Sequence, residues 1–150
     1  MSRDIQWAWK SYLELTKDEL YSILKFRQEI FAVEQKSWYL DVDGLDQDAH
    51  HLLGFLDNDI VGYLRLLRPK KKHPESSLGR ILIHKKYRGS GSGHFLVQEG
   101  IRMSKKFYPD SAIKISAQEH LKNFYNFHDF HKIGQVYDED GIPHISMQHK

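Results

Sequence analysis

The chain has 150 residues, no cysteine and a formal net charge of +2 at pH 7. That length fits one domain, 1–150, able to bury about 70% of its unfolded surface. The missing cysteine excludes disulfides, thiolate-bound zinc and thiol nucleophiles, and a charge near zero gives no compositional argument for a nucleic-acid or membrane partner. The start of the chain, Met1 to Trp7, carries no apolar signal core. No run approaches the roughly 20 apolar residues of a membrane span. A cytoplasmic protein is expected.

Ile5, Trp7 and Trp9 alternate with polar or small residues, the period of a strand with one buried face. Thr16-Lys17-Asp18-Glu19 is a capping box. Leu20, Ile23, Leu24, Arg27, Ile30 and Phe31 then recur at helical spacing, which predicts a helix over about 17–33. Residues 34–48 are polar and aperiodic and read as a long functional loop. Two apolar runs, 49–56 and 60–67, flank Asp57-Asn58-Asp59 and predict a hairpin. The run Arg68 to Pro74, with two prolines and Lys70-Lys71-Lys72, reads as an exposed connection. A strand is predicted at 78–84, a helix at 94–107, a strand at 112–117 and a short helix at about 119–128. Strands at 134–137 and 144–148 close the chain around an acidic turn. Strand, helix, strand in that order implies a parallel pair with a right-handed crossover.

Between strand 78–84 and helix 94–107 lies Arg88-Gly89-Ser90-Gly91-Ser92-Gly93. Alternating glycines leave backbone N–H groups open to close approach. The first N–H groups of the next helix lack internal partners and sit at the positive end of its dipole. Such a turn binds phosphate, and Arg88 adds a cation at its mouth. It is not a Walker A loop, because no lysine follows Gly93. It is not a dinucleotide fingerprint, because the third glycine would fall on His94. It is not a nucleophile elbow, because Gly91 stands where serine is needed.

The pattern Arg-x-x-Gly-x-Gly between strand and helix resembles the pyrophosphate loop of the GNAT acyltransferases. A second segment agrees: Ala117-Gln118-Glu119-His120-Leu121-Lys122-Asn123-Phe124-Tyr125. There Asp129 stands where the family carries glycine, and Gln118 where many members carry asparagine. Phe31-Ala32-Val33-Glu34-Gln35, Asp41-x-Asp43-Gly44 and Tyr137-x-Glu139-Asp140-Gly141-Ile142-Pro143-His144-Ile145 are similar to the ElaA-like branch of that family. Ser37-Trp38 departs from the Cys-Pro expected after Glu34-Gln35. The resemblance covers nearly the whole chain.

It implies a mixed α/β GNAT fold: a mostly antiparallel sheet with one splayed parallel pair and helices on both faces. It implies an N-acetyltransferase using acetyl-CoA as cosubstrate, with no metal, acting on a small-molecule or peptide amine. Arg88, Gly89, Ser90, Gly91, Ser92, Gly93 and His94 would hold the pyrophosphate. Backbone N–H groups of Leu82, Ile83 and His84 would polarise the thioester carbonyl, and Gln118, Asn123 and Phe124 would flank the coenzyme. Tyr125 would be the general acid. Glu34, His51 and His144 are candidate bases, with Asp43 and Glu119 beside them. The acidic loops 41–48 and 138–140 could form a negative mouth for a cationic amine. A non-catalytic coenzyme A sensor is the alternative reading. His128-x-x-His131 lacks a carboxylate partner in any metal-ligand pattern, and Asp41-x-Asp43-Gly44 puts glycine at the wrong place for a calcium loop. The exposed sheet edge near the last hairpin is compatible with a homodimer.

Overall fold

A computed structural model describes residues 4–150. Residues 1–3, the beginning of the stretch read for a signal core, lie outside them. β1 (Gln6–Ser11) leads through a short turn to α1 (Lys17–Gln28). The capping box forms as expected: Glu19 N–H donates to Thr16 Oγ1 at 3.0 Å and Thr16 N–H to Glu19 Oε1 at 2.9 Å. The α-geometry ends before residue 33. Glu29–Glu34 widen into a π-helix, and Gln35 N–H bonds Ile30 O at 2.9 Å. The wider turns rotate the chain relative to an α-helix, and Ile30, Phe31 and Gln35 line the main cavity.

After the loop and a 3₁₀ turn, Asp46–Asp48, come the hairpin strands β2 (His50–Leu56) and β3 (Asp59–Leu67). β4 (Ser76–Ile83), α2 (Ser92–Phe107) and β5 (Ile113–Gln118) follow. Next is a 3₁₀ turn, Glu119–Leu121, running into α3 (Lys122–Phe127). β6 (His131–Lys132), β7 (Tyr137–Glu139) and β8 (Ile142–His149) complete the sheet. Its order is β1-β2-β3-β4-β5-β8-β6, with β7 also on β8. Neighbours are antiparallel except β4 and β5, which are parallel. Of the strand expected at 134–137 only Tyr137 is in a strand, at the start of β7; residues 134–136 are irregular, and β6 precedes them, both short strands pairing with β8. No helix among the described residues is long and apolar enough to cross a membrane.

The period of two distributes the core over both faces of the sheet. Leu52, Leu64 and Leu66 meet Leu96, Val97 and Met103 of α2. Leu53 and Tyr63 meet Ile23 and Phe26 of α1 on the other side. Gly100 lets α2 approach closely: a Cβ there would stand 2.8 Å from Leu78 Cδ1 and 3.0 Å from Leu64 Cδ1.

Two irregularities place the site. In β4, Leu78 and Leu82 would share a face if the strand were regular. A bulge intervenes: Tyr63 pairs with Leu82 but Arg65 with Gly79, and Arg80 takes φ 51°. Leu78 therefore joins the α2 core and Leu82 the α1 core. In the parallel pair, Ser76–Ile113 and Ser77–Lys114 are in register, and the two strands then separate.

At the end of α3, Asp129 occupies the left-handed region with φ 65°. Its N–H bonds Asn126 O and the next N–H, of Phe130, returns to Tyr125 O. Glycine is the residue that enters this conformation without strain. Asp129→Gly should therefore raise stability in urea unfolding by about 0.5 kcal/mol, and Asp129→Val should lower it by more than about 1 kcal/mol. Equal stability of all three would contradict a turn held in this conformation.

Candidate active site

Where β4 and β5 part, a cavity of about 640 Å³ opens. Its walls run along both strands, from Ser77 to Ile83 and from Lys114 to Gln118. Tyr125, Glu139 and His144 also line it. On β5, Ile113, Ile115 and Ala117 turn into the α2 core, so Lys114, Ser116 and Gln118 face the opposite way.

At one end of the gap stands the glycine run. Gly91 is the N-cap of α2 with φ 88°, and among the described residues no side chain caps this helix. The first bond of the helix joins Phe95 N–H to Gly91 O at 3.1 Å. The preceding N–H groups of Ser92, Gly93 and His94 thus have no helical partner. A Cβ on Gly89 or Gly91 would meet nothing within 4 Å, whereas one on Gly93 would stand 3.6 Å from the Phe124 ring. Free donors at a positive helix end, under open space, fit a diphosphate. Ser90 Oγ donates to Tyr87 O at 2.6 Å and lies 2.9 Å from Ser92 Oγ, which stiffens the loop. His94 Nδ1 lies 2.8 Å from His128 Nε2, and its ring packs 4.7 Å from that of Phe124.

Arg88 is not a lone cation. Its Nε donates to Ile83 O at 2.9 Å, and its two NH groups hold the Glu34 carboxylate at 2.7 and 3.1 Å. Glu34 is therefore its counter-ion. The bond to Ile83 O also fixes the direction of the strand end. His84 N–H donates to Val61 O on β3 at 2.8 Å. Bonded and non-bonded pairs alternate along an antiparallel ladder. Ile83 therefore turns both its C=O and its N–H away from β3, into the gap, whereas the His84 N–H is already committed.

Tyr125 is 7% exposed. Burial pushes its phenol up to about 12, and among the described residues no side chain bonds its hydroxyl. Gln118 Nε2 donates to Gln35 Oε1 at 3.3 Å across the gap. Asn123 lies two residues before Tyr125 on α3. His144 Nδ1 donates to Ile142 O at 2.8 Å, and its Nε2 lies 3.1 Å from Glu139 Oε2. His51 is fully buried away from the cavity. Its Nδ1 meets the Tyr63 hydroxyl and its Nε2 meets Asp46 O. Both nitrogens are engaged, which leaves no lone pair for an acceptor amine.

The acidic loop differs most from the sequence reading. It is not a negative mouth. Asp41, Asp43 and Asp46 are held by three arginines from three elements. Arg27 of α1 meets Asp41 at 2.8 Å and Asp46 at 2.7 Å. Arg65 of β3 meets Asp43 at 2.8 Å and Asp46 at 3.0 Å. Arg80 at the bulge meets Asp41 at 2.7 Å and Asp43 at 3.3 Å. Arg80 also lies over the Tyr39 and Phe31 rings, at 5.4 and 5.9 Å. Burial alone would raise these acids. Hydrogen bonds from Arg65 to Asp43 and from Arg27 to Asp46 outweigh it and hold both carboxyls below their ordinary range. The clue to this network was Arg27 itself, a cation on the apolar stripe of an amphipathic helix. Lys72 and Lys114 also line the cavity, and nothing in their local sequence marks them.

A family model described as acetyltransferase (GNAT) domain matches residues 16–150. The chain is 43% identical to a UPF0039 protein of Synechocystis over 96% of this chain and 94% of that one. Among solved structures it is similar to an acyl-CoA N-acyltransferase from Pseudomonas aeruginosa, with a TM-score of 0.93 and 38% identity. That match covers 98% of this chain and 100% of the other. Escherichia coli ElaA gives a TM-score of 0.93 and 34% identity, with the same coverage.

Asp46 is shared by two buried guanidinium groups. Asp46→Asn leaves both short of a charge partner and should cost about 3–5 kcal/mol in urea unfolding. The stability these depressed carboxyls supply is complete above the unfolded value near 3.9 and is lost as pH falls below it. The variant should therefore lose less stability than the parent between about pH 4 and pH 2. A cost under about 1 kcal/mol, or parallel pH curves, would contradict the network's role.

Proposed function

Because the chain belongs to the GNAT acetyltransferase family, we propose that it moves an acetyl group from acetyl-coenzyme A to a primary amine of a small molecule or peptide. The transfer is a direct attack within a ternary complex. The observation that carries this reading is the gap between β4 and β5, with free helix donors at one end and a buried phenol on its wall. Bound there, the coenzyme supplies an acetyl group activated as a thioester.

The N–H groups of Ser92, Gly93 and His94, with Gly89, Ser90 and Gly91 leaving room above them, hold the diphosphate. Arg88 braces that loop against the end of β4 through Ile83 O. Ile83 N–H, facing the gap, donates to the carbonyl oxygen as negative charge develops on it; one such donor is worth about 10²–10³ in rate. Leu82 and Ile83 form the wall beside it. The sequence reading assigned that donation to Leu82 and His84 as well, but the alternation of the ladder turns both of their N–H groups to β3. Gln118, Asn123 and Phe124 flank the coenzyme arm.

Tyr125 donates a hydrogen bond to the departing sulfur. A phenol near 12 stays protonated throughout the working range, so it is always ready to donate. Full transfer is uphill against an ordinary thiol near 8.5, so its main effect is a hydrogen bond to the developing thiolate. The His144–Glu139 pair is the base candidate on the cavity wall. With Nδ1 fixed on Ile142 O, Nε2 is the ring nitrogen left beside the Glu139 carboxylate. Glu34 neutralises Arg88, and His51 braces Asp46. Asp129 makes the left-handed turn that glycine makes elsewhere in the family.

Coenzyme A in millimolar excess should raise the melting temperature, and Arg88→Ala should reduce that rise. Tyr125→Phe should keep the rise but lower kcat for thiol release by about 10²-fold or more. In the parent, no loss of rate from Tyr125 ionisation should appear below about pH 11. An unchanged melting temperature with coenzyme A would overturn the reading; undiminished kcat in Tyr125→Phe would overturn the role of the phenol.

A further inference from the structure

The charged groups on the cavity wall can be sorted by whether each has a partner. Asp43 is held by Arg65 and Arg80, and Arg88 by Glu34, whereas Glu139 lies 3.1 Å from His144 and has no arginine or lysine partner among the described residues. Lys72 and Lys114 form no ion pair among the described residues. They come from different parts of the fold. Lys72 is on the β3–β4 connection at the exposed mouth, and Lys114 is on β5 in register with Ser77.

Their surroundings are cationic. Partial burial, then Arg80 and Arg65, push the Lys72 ammonium down, and Glu139 and Asp43 only partly offset this. Burial, then Lys114 and Lys72, push His73 the same way. Like charges gathered around a cavity are unfavourable until an anion enters. The carboxylates on the wall without an arginine or lysine partner among the described residues are Glu139, at the end of β7, and Asp140, in the turn after it.

The coenzyme's diphosphate does not answer this need. Its cradle follows the far end of β4, and the six residue steps from Ser77 to Ile83 span roughly 20 Å of extended strand. Of the two acidic loops that the sequence offered as a negative mouth, 41–48 is neutralised by its arginines, which leaves Glu139 and Asp140 of the other facing the two lysines across the cavity.

We infer that the acceptor carries, besides its amine, a carboxylate or other compact anionic group, and that Lys72 and Lys114 hold that group. This rests on the acyl-transfer reading above. The same cations have a second effect. They disfavour an ammonium ion in the cavity, so the acceptor nitrogen loses its proton more readily than in water.

The test follows thiol release from acetyl-coenzyme A with matched acceptors: 5-aminopentanoate against pentylamine, and O-phosphoethanolamine against ethanolamine. The anionic member of at least one pair should have a kcat/KM about 10- to 100-fold higher, mainly through KM. The pair that shows the preference tells a carboxylate site from a phosphate site. The Lys72→Met, Lys114→Met double variant should bring that ratio close to 1 while keeping the thermal shift with coenzyme A. Lys→Arg at both positions should restore most of the preference. Equal or faster turnover of both partners that lack the anionic group, or a preference that survives in the double variant, overturns the inference and leaves acyl transfer intact.

Calorimetry decides the case if no amine releases thiol. The 5-aminopentanoate and O-phosphoethanolamine probes are titrated into the protein with and without coenzyme A. Binding lost in the double variant supports the anion site even if acyl transfer fails, and no binding of either probe overturns it.

Discussion

Hydrogen bonding between β4 and β5 stops after two residue pairs, and most of what this protein can do follows from that. A parallel pair that stayed in register would bury its backbone groups in the sheet and leave no room between the strands. Separation exposes main-chain donors and acceptors that need partners. Arg88 satisfies Ile83 O, and the Ile83 N–H beside it points into the gap. The strand end is thereby rigid and still has a donor to offer, which is the condition for electrostatic preorganisation.

The separation is supported from the α1 side of the sheet. The bulge at Arg80 reverses the facing of β4 partway along its length, so its first half serves the α2 core and its second half the α1 core. A left-handed arginine is strained, and its guanidinium is held by Asp41, Asp43 and two aromatic rings. Asp43 and Asp46 in turn engage Arg65, and Asp41 and Asp46 engage Arg27. A long loop without regular structure is thus fixed by charge instead of by an apolar core. Buried pairs of this kind offer little net stability over apolar packing, but they orient a loop in a way that apolar contacts do not.

The network also changes what the cavity is. The acids of loop 41–48 that would draw in a cation are consumed by arginines, while Glu139 and Asp140 stay on the wall with the two lysines. The lysines left over give the wall its character, and Lys72 belongs to a basic run that, taken alone, reads as a solvated connection. Its neighbour Lys71 does pair at the surface, with Asp48, so three adjacent lysines have separate environments.

Local signals carried much of the architecture. Period-two and period-3.6 patterns located β1 through β5 and both long helices. Thr16 and Glu19 marked the start of α1, and the glycine run marked the start of α2. The order of strand, helix and strand was enough to imply the parallel crossover, because handedness leaves few alternatives. These features are legible because they depend on residues within a few positions of one another. The rest was not local. Arg27 and Asp46 are 19 residues apart, Arg65 and Asp43 are 22 apart, and Arg88 and Glu34 are 54 apart. No periodicity records which charge meets which across such distances. The sequence therefore determined the elements, the glycine cradle and the phenol of Tyr125. Tertiary packing alone decided that the acidic loop is neutral, that His51 is structural and that two lysines on the cavity wall remain unpaired, because charge balance depends on distances that exist only in the folded chain.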